Sequence, residues 1–147
     1  MKVKELMTSD PACVRPDQSL RDAATLMHEK DCGCLPVEDH GHLVGVVTDR
    51  DIVLRAIAEG KEDAMVCDVM STDPCCCGPD DAVEKVEAIM KELKVRRVPV
   101  VDASGHAVGM VSQADLARAS NGPGLISKGE VATVVEQVSQ PGQGQVH

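Results

Sequence analysis

The chain has 147 residues and a formal net charge of −9. That balance argues against a nucleic-acid backbone as the main partner, since phosphate neutralisation needs clustered Lys and Arg, and no apolar run approaches the roughly 20 residues needed to span a bilayer. Phe, Trp and Tyr are absent, so the core must be built from Val, Leu, Ile, Met and Ala, and no bound base can stack on an aromatic ring.

Met1 to Met7 lacks the apolar centre of a signal peptide, and a cytoplasmic location is expected. Pro11 to Arg15 reads as a short extended segment ended by Pro16-Asp17. Ser19, with Asp22 three residues on, caps a helix whose Leu20, Ala23, Ala24 and Met27 share one face. Cys34 to Val37 is a strand with a proline near its start, tolerable at an edge or first position. Asp39-His-Gly-His42 is a turn by composition. Leu43 to Val47 is a buried strand, and Thr48 opens a second helix through Ile52, Val53 and Ile57 that Gly60 closes. Asp80 or Asp81 starts the next helix, with Val83, Val86, Met90 and Leu93 on one face. Val98–Val101 and His106–Val111 read as strands, and Asp115, Leu116 and Ala119 lie in a closing helix. Residues 125–138 fit either a short helix or a strand, and 140–145 a flexible end.

This order is a repeat. Met7-Thr-Ser-Asp-Pro11 returns as Met70-Ser-Thr-Asp-Pro74, 63 residues later, and the spacing holds to Asp39/Asp102. After one inserted residue it resumes at 64, pairing Gly41-His42 with Gly105-His106 and Gly45–Asp51 with Gly109–Asp115. A repeat of this size fixes the architecture before local signals are weighed. The expected fold class is α/β (α+β): two tandem β-α-β-β-α units, residues 1–60 and 61–120, packed as a pseudo-twofold pair, with a C-terminal extension over 121–147. Each unit alone is short of the size that buries a comfortable core, so the two should pack together.

The chemistry concentrates in Gly45-Val-Val-Thr-Asp-Arg-Asp51 and Gly109-Met-Val-Ser-Gln-Ala-Asp115. Each strand delivers a hydroxyl residue to the first turn of a helix, where free N–H groups suit an anion. The Asp one turn on can accept hydrogen bonds from ribose hydroxyls. The glycine permits close approach of a ligand or a strand. Both segments also fit a plain capping box, Thr48 with Asp51 and Ser112 with Asp115.

In this context the chain resembles the cystathionine-β-synthase-type (CBS) domain pair, or Bateman module, over about residues 3–119, and looks most like small stand-alone bacterial proteins made of one such pair. The resemblance implies two clefts between the paired sheets that take AMP, ADP, ATP or another adenosyl ligand. It places Thr48, Arg50 and Asp51 opposite Cys77, Gly78, Val95, Arg96, Arg97 and Val98 in one cleft. In the other it places Ser112 and Asp115 opposite Val14, Arg15, Cys32, Gly33, Cys34 and Leu35. The Thr48/Asp51 cleft is expected to hold phosphate through Arg50, Arg96 and Arg97, guanidinium being suited to it; an exposed strand end is the other account of Arg96-Arg97. A homodimer is implied, with Leu54, Ile57 and Leu116 as contacts, and an unidentified regulated protein as reader of the bound state.

Seven cysteines remain. The odd count in a reducing compartment argues against a disulfide framework. Cys13, Cys32 and Cys34 can converge as a redox site or bind zinc, although the spacing lacks the usual ligand pattern and packing as small hydrophobes also accounts for them. His42 and His106 fit turn positions, and Met7, Met27, Met70 and Met90 fit core filling. No nucleophile elbow, phosphate loop or His-Glu-x-x-His motif is present, so the expected function is non-catalytic: nucleotide sensing, or a thiol- or zinc-responsive module, or an interaction module with no small ligand.

Overall fold

The computed structural model describes residues 1–119; the expectations for 125–138 and 140–145 lie outside them. A short 3₁₀ turn, Val3–Glu5, leads into β1 (Thr8–Ser9), α1 (Leu20–Lys30), β2 (Cys34–Asp39) and β3 (His42–Thr48). A helix then starts as α2 (Asp49–Asp51) and continues as a π-helical stretch, Ile52–Ile57. The second half repeats with α3 (Val66–Val69), β4 (Ser71–Thr72), α4 (Val83–Leu93), β5 (Arg97–Val101), β6 (Ala107–Ser112) and α5 (Gln113–Ala119).

The helices form for legible reasons. The Ser19 hydroxyl accepts the Asp22 N–H (3.0 Å) at the start of α1, as its position predicts. α1 and α4 each stop at a residue in the left-handed conformation, Asp31 and Lys94, which are equivalent in the repeat. α4 starts at Val83 after Ala82, which supplies no side-chain cap. The Asp81 carboxylate is drawn instead to the Gly78 N–H (2.7 Å) and the Lys85 ammonium.

The two halves exchange their leading segments. β1 joins the second half's hairpin in a sheet of order β1-β6-β5, and β4 joins the first half's hairpin in a sheet of order β2-β3-β4. The registers are equivalent: Thr8 faces Met110 and Ser9 faces Gly109, while Ser71 faces Val46 and Thr72 faces Gly45. Gly45 and Gly109 are thereby explained by the approach of a strand. A β-carbon at Gly45 would lie 2.8 Å from both the Met70 sulfur and the Ser71 carbonyl, and one at Gly109 would strike Met7. Met7 and Met70 pack from the edge, while Met27 and Met90 are buried.

Two hydrophobic cores result. One gathers Leu20, Met27, Leu35, Val37 and Val47 with Val66 and Val69 of the connecting segment. The other gathers Val83, Val86, Met90, Val98 and Leu116 with Val3 from the chain's start. Leu116 is 1% exposed and so fills this core rather than offering a subunit contact. Pro36 lies inside β2, opposite Val46, with the extended segment around Val14 on its other side. It is tolerated because the bond there runs from the Val14 N–H (3.1 Å) to the Pro36 carbonyl.

The hairpins meet at their turns. Leu43 N–H donates to the Gly105 carbonyl (2.8 Å). The Glu38 carboxylate accepts the Ala107 N–H (2.7 Å) and stands 2.8 Å from His106 Nδ1. The equivalent of Glu38 in the second copy is Val101, so this brace exists on one side only.

Candidate functional site

Thr48 and Ser112 end β3 and β6 and cap the helices that follow. Thr48 N–H donates to Asp51 Oδ2 (2.9 Å) and Asp51 N–H to Thr48 Oγ1 (3.0 Å). Ser112 N–H donates to Asp115 Oδ2 (2.8 Å) and Asp115 N–H to Ser112 Oγ (3.2 Å). The reciprocal capping box is therefore formed in both copies. It uses one carboxylate oxygen of each Asp and leaves the other for further work.

Those second oxygens differ. Asp115 Oδ1 pairs with the Arg118 guanidinium. Asp51 is 1% exposed, and its Oδ1 has no hydrogen-bond partner among the described residues. Arg55 Nε stands 3.7 Å from that oxygen, while Arg55 Nη1 donates to the Val69 carbonyl (3.1 Å). A buried carboxylate oxygen without a donor is costly, and it lies on the wall of a cleft.

Each hydroxyl–carboxylate pair lines such a cleft between the halves. The Ser112/Asp115 cleft is about 550 Å³ and includes Pro11, Ala12, Lys30, Gly33 and Arg97. The Thr48/Asp51 cleft is about 110 Å³ and includes Ser71, Cys75, Val95, Arg97 and Pro99. The first volume falls within the range of small-molecule sites, roughly 300–1,000 Å³, and the second below it.

The structure gathers only part of the residue set carried over from the resemblance. Ser112 and Asp115 do share a cleft with Cys32, Gly33, Cys34 and Leu35, and Thr48 and Asp51 with Val95 and Arg97. Val14, Cys77 and Val98 are core residues: Val14 bridges to Val37 and Cys77 to Val100, each within its own half. Arg15 lines a separate groove with Cys13, Glu38 and His40. Arg50 and Arg96 are exposed, and Gly78 receives the Asp81 carboxylate. Of the three arginines expected around phosphate, Arg97 alone lines the Thr48/Asp51 cleft, and it lines the other cleft too. Lys30, at the last position of α1, supplies a second cation to the Ser112/Asp115 cleft. Its place in the last turn of a helix running toward Gly33 was the available sequence signal.

The three thiols do not assemble. Cys13 donates to the Pro11 carbonyl (3.4 Å) and sits beside Glu38, away from Cys32 and Cys34 on the cleft wall. Burial, then Glu38, pushes the Cys13 thiol up to about 12. Burial pushes Cys34 up to about 12 against the opposing pull of Arg97. In the metal-free chain such thiols stay protonated and are poor nucleophiles. Among the described residues no group of three or more His, Cys, Asp or Glu is arranged to hold a metal ion. Nor is any described helix long and apolar enough to cross a membrane.

Two exchanged β-α-β-β-α halves, with a hydroxyl–Asp cap at each of two intervening clefts, define a tandem ligand-cleft module. The chain belongs to the CBS domain family, which matches residues 3–57 and 66–122. It is 40% identical over 116 residues to the CBS domain-containing protein YhcV of Bacillus subtilis (strain 168), spanning 78% of this chain and 82% of that one. The crystal structure of Hypoxic Response Protein I with two coordinated zinc ions is similar at a TM-score of 0.72 and 32% identity, covering 80% of this chain and 98% of that one. That of CBSX2 in complex with AMP is similar at 0.69 and 32%, covering 82% and 96%.

Proposed function

We propose that the chain is a non-catalytic regulatory module that takes an adenosine-bearing ligand of the AMP, ADP or ATP class, first in the Ser112/Asp115 cleft. The observation that carries this reading is a ligand-sized cleft, about 550 Å³, lined by a helix-start hydroxyl with its Asp115 carboxylate and by two cations, Lys30 and Arg97, flanked by two further acidic residues, Asp10 and Asp31. The carboxylate suits ribose hydroxyls and the cations suit phosphate. The presence of AMP in the related CBSX2 structure supports the ligand class. Binding biases the arrangement of the two halves only as far as the ligand prefers one arrangement over another, and a partner protein reads the result. Calorimetry against AMP, ADP, ATP, S-adenosylmethionine and NAD tests it. Saturable binding of an adenine nucleotide is expected; silence across the whole panel overturns it.

The same reading includes a homodimer. Val53, Leu54 and Ile57 are 51%, 45% and 53% exposed on the π-helical stretch, an apolar face whose burial needs a partner surface. Light scattering at micromolar concentration gives the mass directly, and a monomer there contradicts the dimer.

A further inference from the structure

We propose that Arg97 is one phosphate-binding group shared by both clefts, so that an anionic adenosine ligand in the Ser112/Asp115 cleft weakens binding of a second in the Thr48/Asp51 cleft. The proposal rests on the nucleotide reading above and adds a rule of occupancy to it.

Arg97 is the first residue of β5 and faces Ser112 in the ladder, which sets it between the two capping pairs. It is half-buried and lines both clefts. Among the described residues it has no carboxylate partner, so its charge is not already neutralised by an ion pair. Cys34, the other residue on both walls, does not neutralise it either, since burial keeps that thiol protonated. The guanidinium therefore stands ready for an external anion, to which it offers a planar fork of donors.

The clefts differ in what remains once Arg97 is engaged. Among the described residues the Ser112/Asp115 cleft keeps Lys30, beside Asp10, Asp31 and Asp115, and has about 550 Å³ for a ligand, whereas the Thr48/Asp51 cleft has no cation but Arg97 on its wall and about 110 Å³. A phosphate in the second cleft would then share a spent donor, approach another phosphate, and lie near the buried Asp51 carboxylate in a setting that screens charge weakly. An uncharged adenosine meets none of these penalties. The difference in remaining cations comes from Lys30, whose equivalent in the second copy, Leu93, lines the Thr48/Asp51 cleft, while Arg97 has Cys34 as its equivalent and both line both clefts.

Calorimetric titration of the full chain with AMP and with adenosine separates the terms. Wild type should bind one AMP per chain, with any second site at least about tenfold weaker, the scale of one lost charge-assisted contact. Adenosine, which carries no phosphate charge, should show a narrower gap between the two clefts than AMP does. Arg97→Gln should lower AMP affinity at least about tenfold and close the gap, while Arg97→Lys, which keeps the charge, should preserve part of it. A thermal unfolding midpoint for each variant confirms that it is folded. Two AMP sites of equal affinity in wild type, or unchanged AMP affinity in folded Arg97→Gln, would overturn the sharing and leave the nucleotide reading intact. Failure of AMP, ADP and ATP alike to bind wild type would remove both.

Discussion

Cys34 and Arg97 occupy the same position in the two copies, 63 residues apart, and each lines both clefts. Cys34 faces Thr48 across the first hairpin as Arg97 faces Ser112 across the second. The midpoint of the pseudo-twofold pair thus has a thiol on one side and a guanidinium on the other.

The first consequence concerns reactivity. Cys34 is buried and held protonated, as is Cys77, which burial and then Asp81 push up to about 11. Cys32, Cys67 and Cys75 are exposed. Iodoacetamide at about pH 8 should label those three well before Cys34 and Cys77, since thiolate is the nucleophile. Peptide mapping by mass spectrometry reads the order, and early labelling of Cys34 would contradict its placement.

The same thiols make stability depend on alkaline pH. Their folded values lie above the ordinary 9.0. Between those values the unfolded chain releases protons that the folded chain retains, so the unfolded state binds fewer and stability falls as pH rises. This contribution is fully present below about pH 8 and declines from about pH 9 upward. Urea unfolding at several pH values should show the decline, and Cys77→Ala should make it shallower. An identical slope in wild type and variant would contradict the account.

The exchange of leading segments also has a signature. Gly109→Ala places a methyl group against Met7 and the Thr8 carbonyl, and should destabilise by about 1–3 kcal/mol, as overpacking does. Met90→Ala, at a fully buried position, should cost about 2–5 kcal/mol. Denaturant midpoints measure both. A neutral Gly109→Ala would mean that β1 does not pair with β6 as described.

Much of this was legible in the sequence because repetition exposes equivalences that single motifs hide. The repeat spacing, 63 residues and then 64, paired Asp31 with Lys94 and Gly45 with Gly109, and the structure gives each pair the same backbone role. Helix faces followed from period, as Leu20, Ala23 and Met27 show. The cleft walls were harder to read. Val14 and Cys77 turn inward because each bridges a strand of its own half, a tertiary fact that spacing does not encode. Pro11, Ala12 and Lys30 reach the Ser112/Asp115 cleft only through the way the halves abut. Leu116 belongs to a helix face that fits a core as well as an interface, and burial decided for the core. The π-helical stretch over Ile52–Ile57 carries no separate signal in its residue pattern.

The exposed face of that stretch bears on assembly. Leu54→Asp introduces charge where an apolar contact is proposed, and should convert a dimer to a monomer without loss of fold. Light scattering together with thermal unfolding distinguishes the outcomes: a dimer retained in the folded variant would place the interface elsewhere.

The most direct measurement is calorimetric titration of wild type, Asp115→Ala and Asp51→Ala with AMP. Wild type should bind saturably. Asp115→Ala should weaken that binding by about 1–3 kcal/mol through loss of charged hydrogen bonds to the ribose, and Asp51→Ala should affect the first site less. Equal affinity in wild type and folded Asp115→Ala would contradict the placement of the nucleotide in the Ser112/Asp115 cleft.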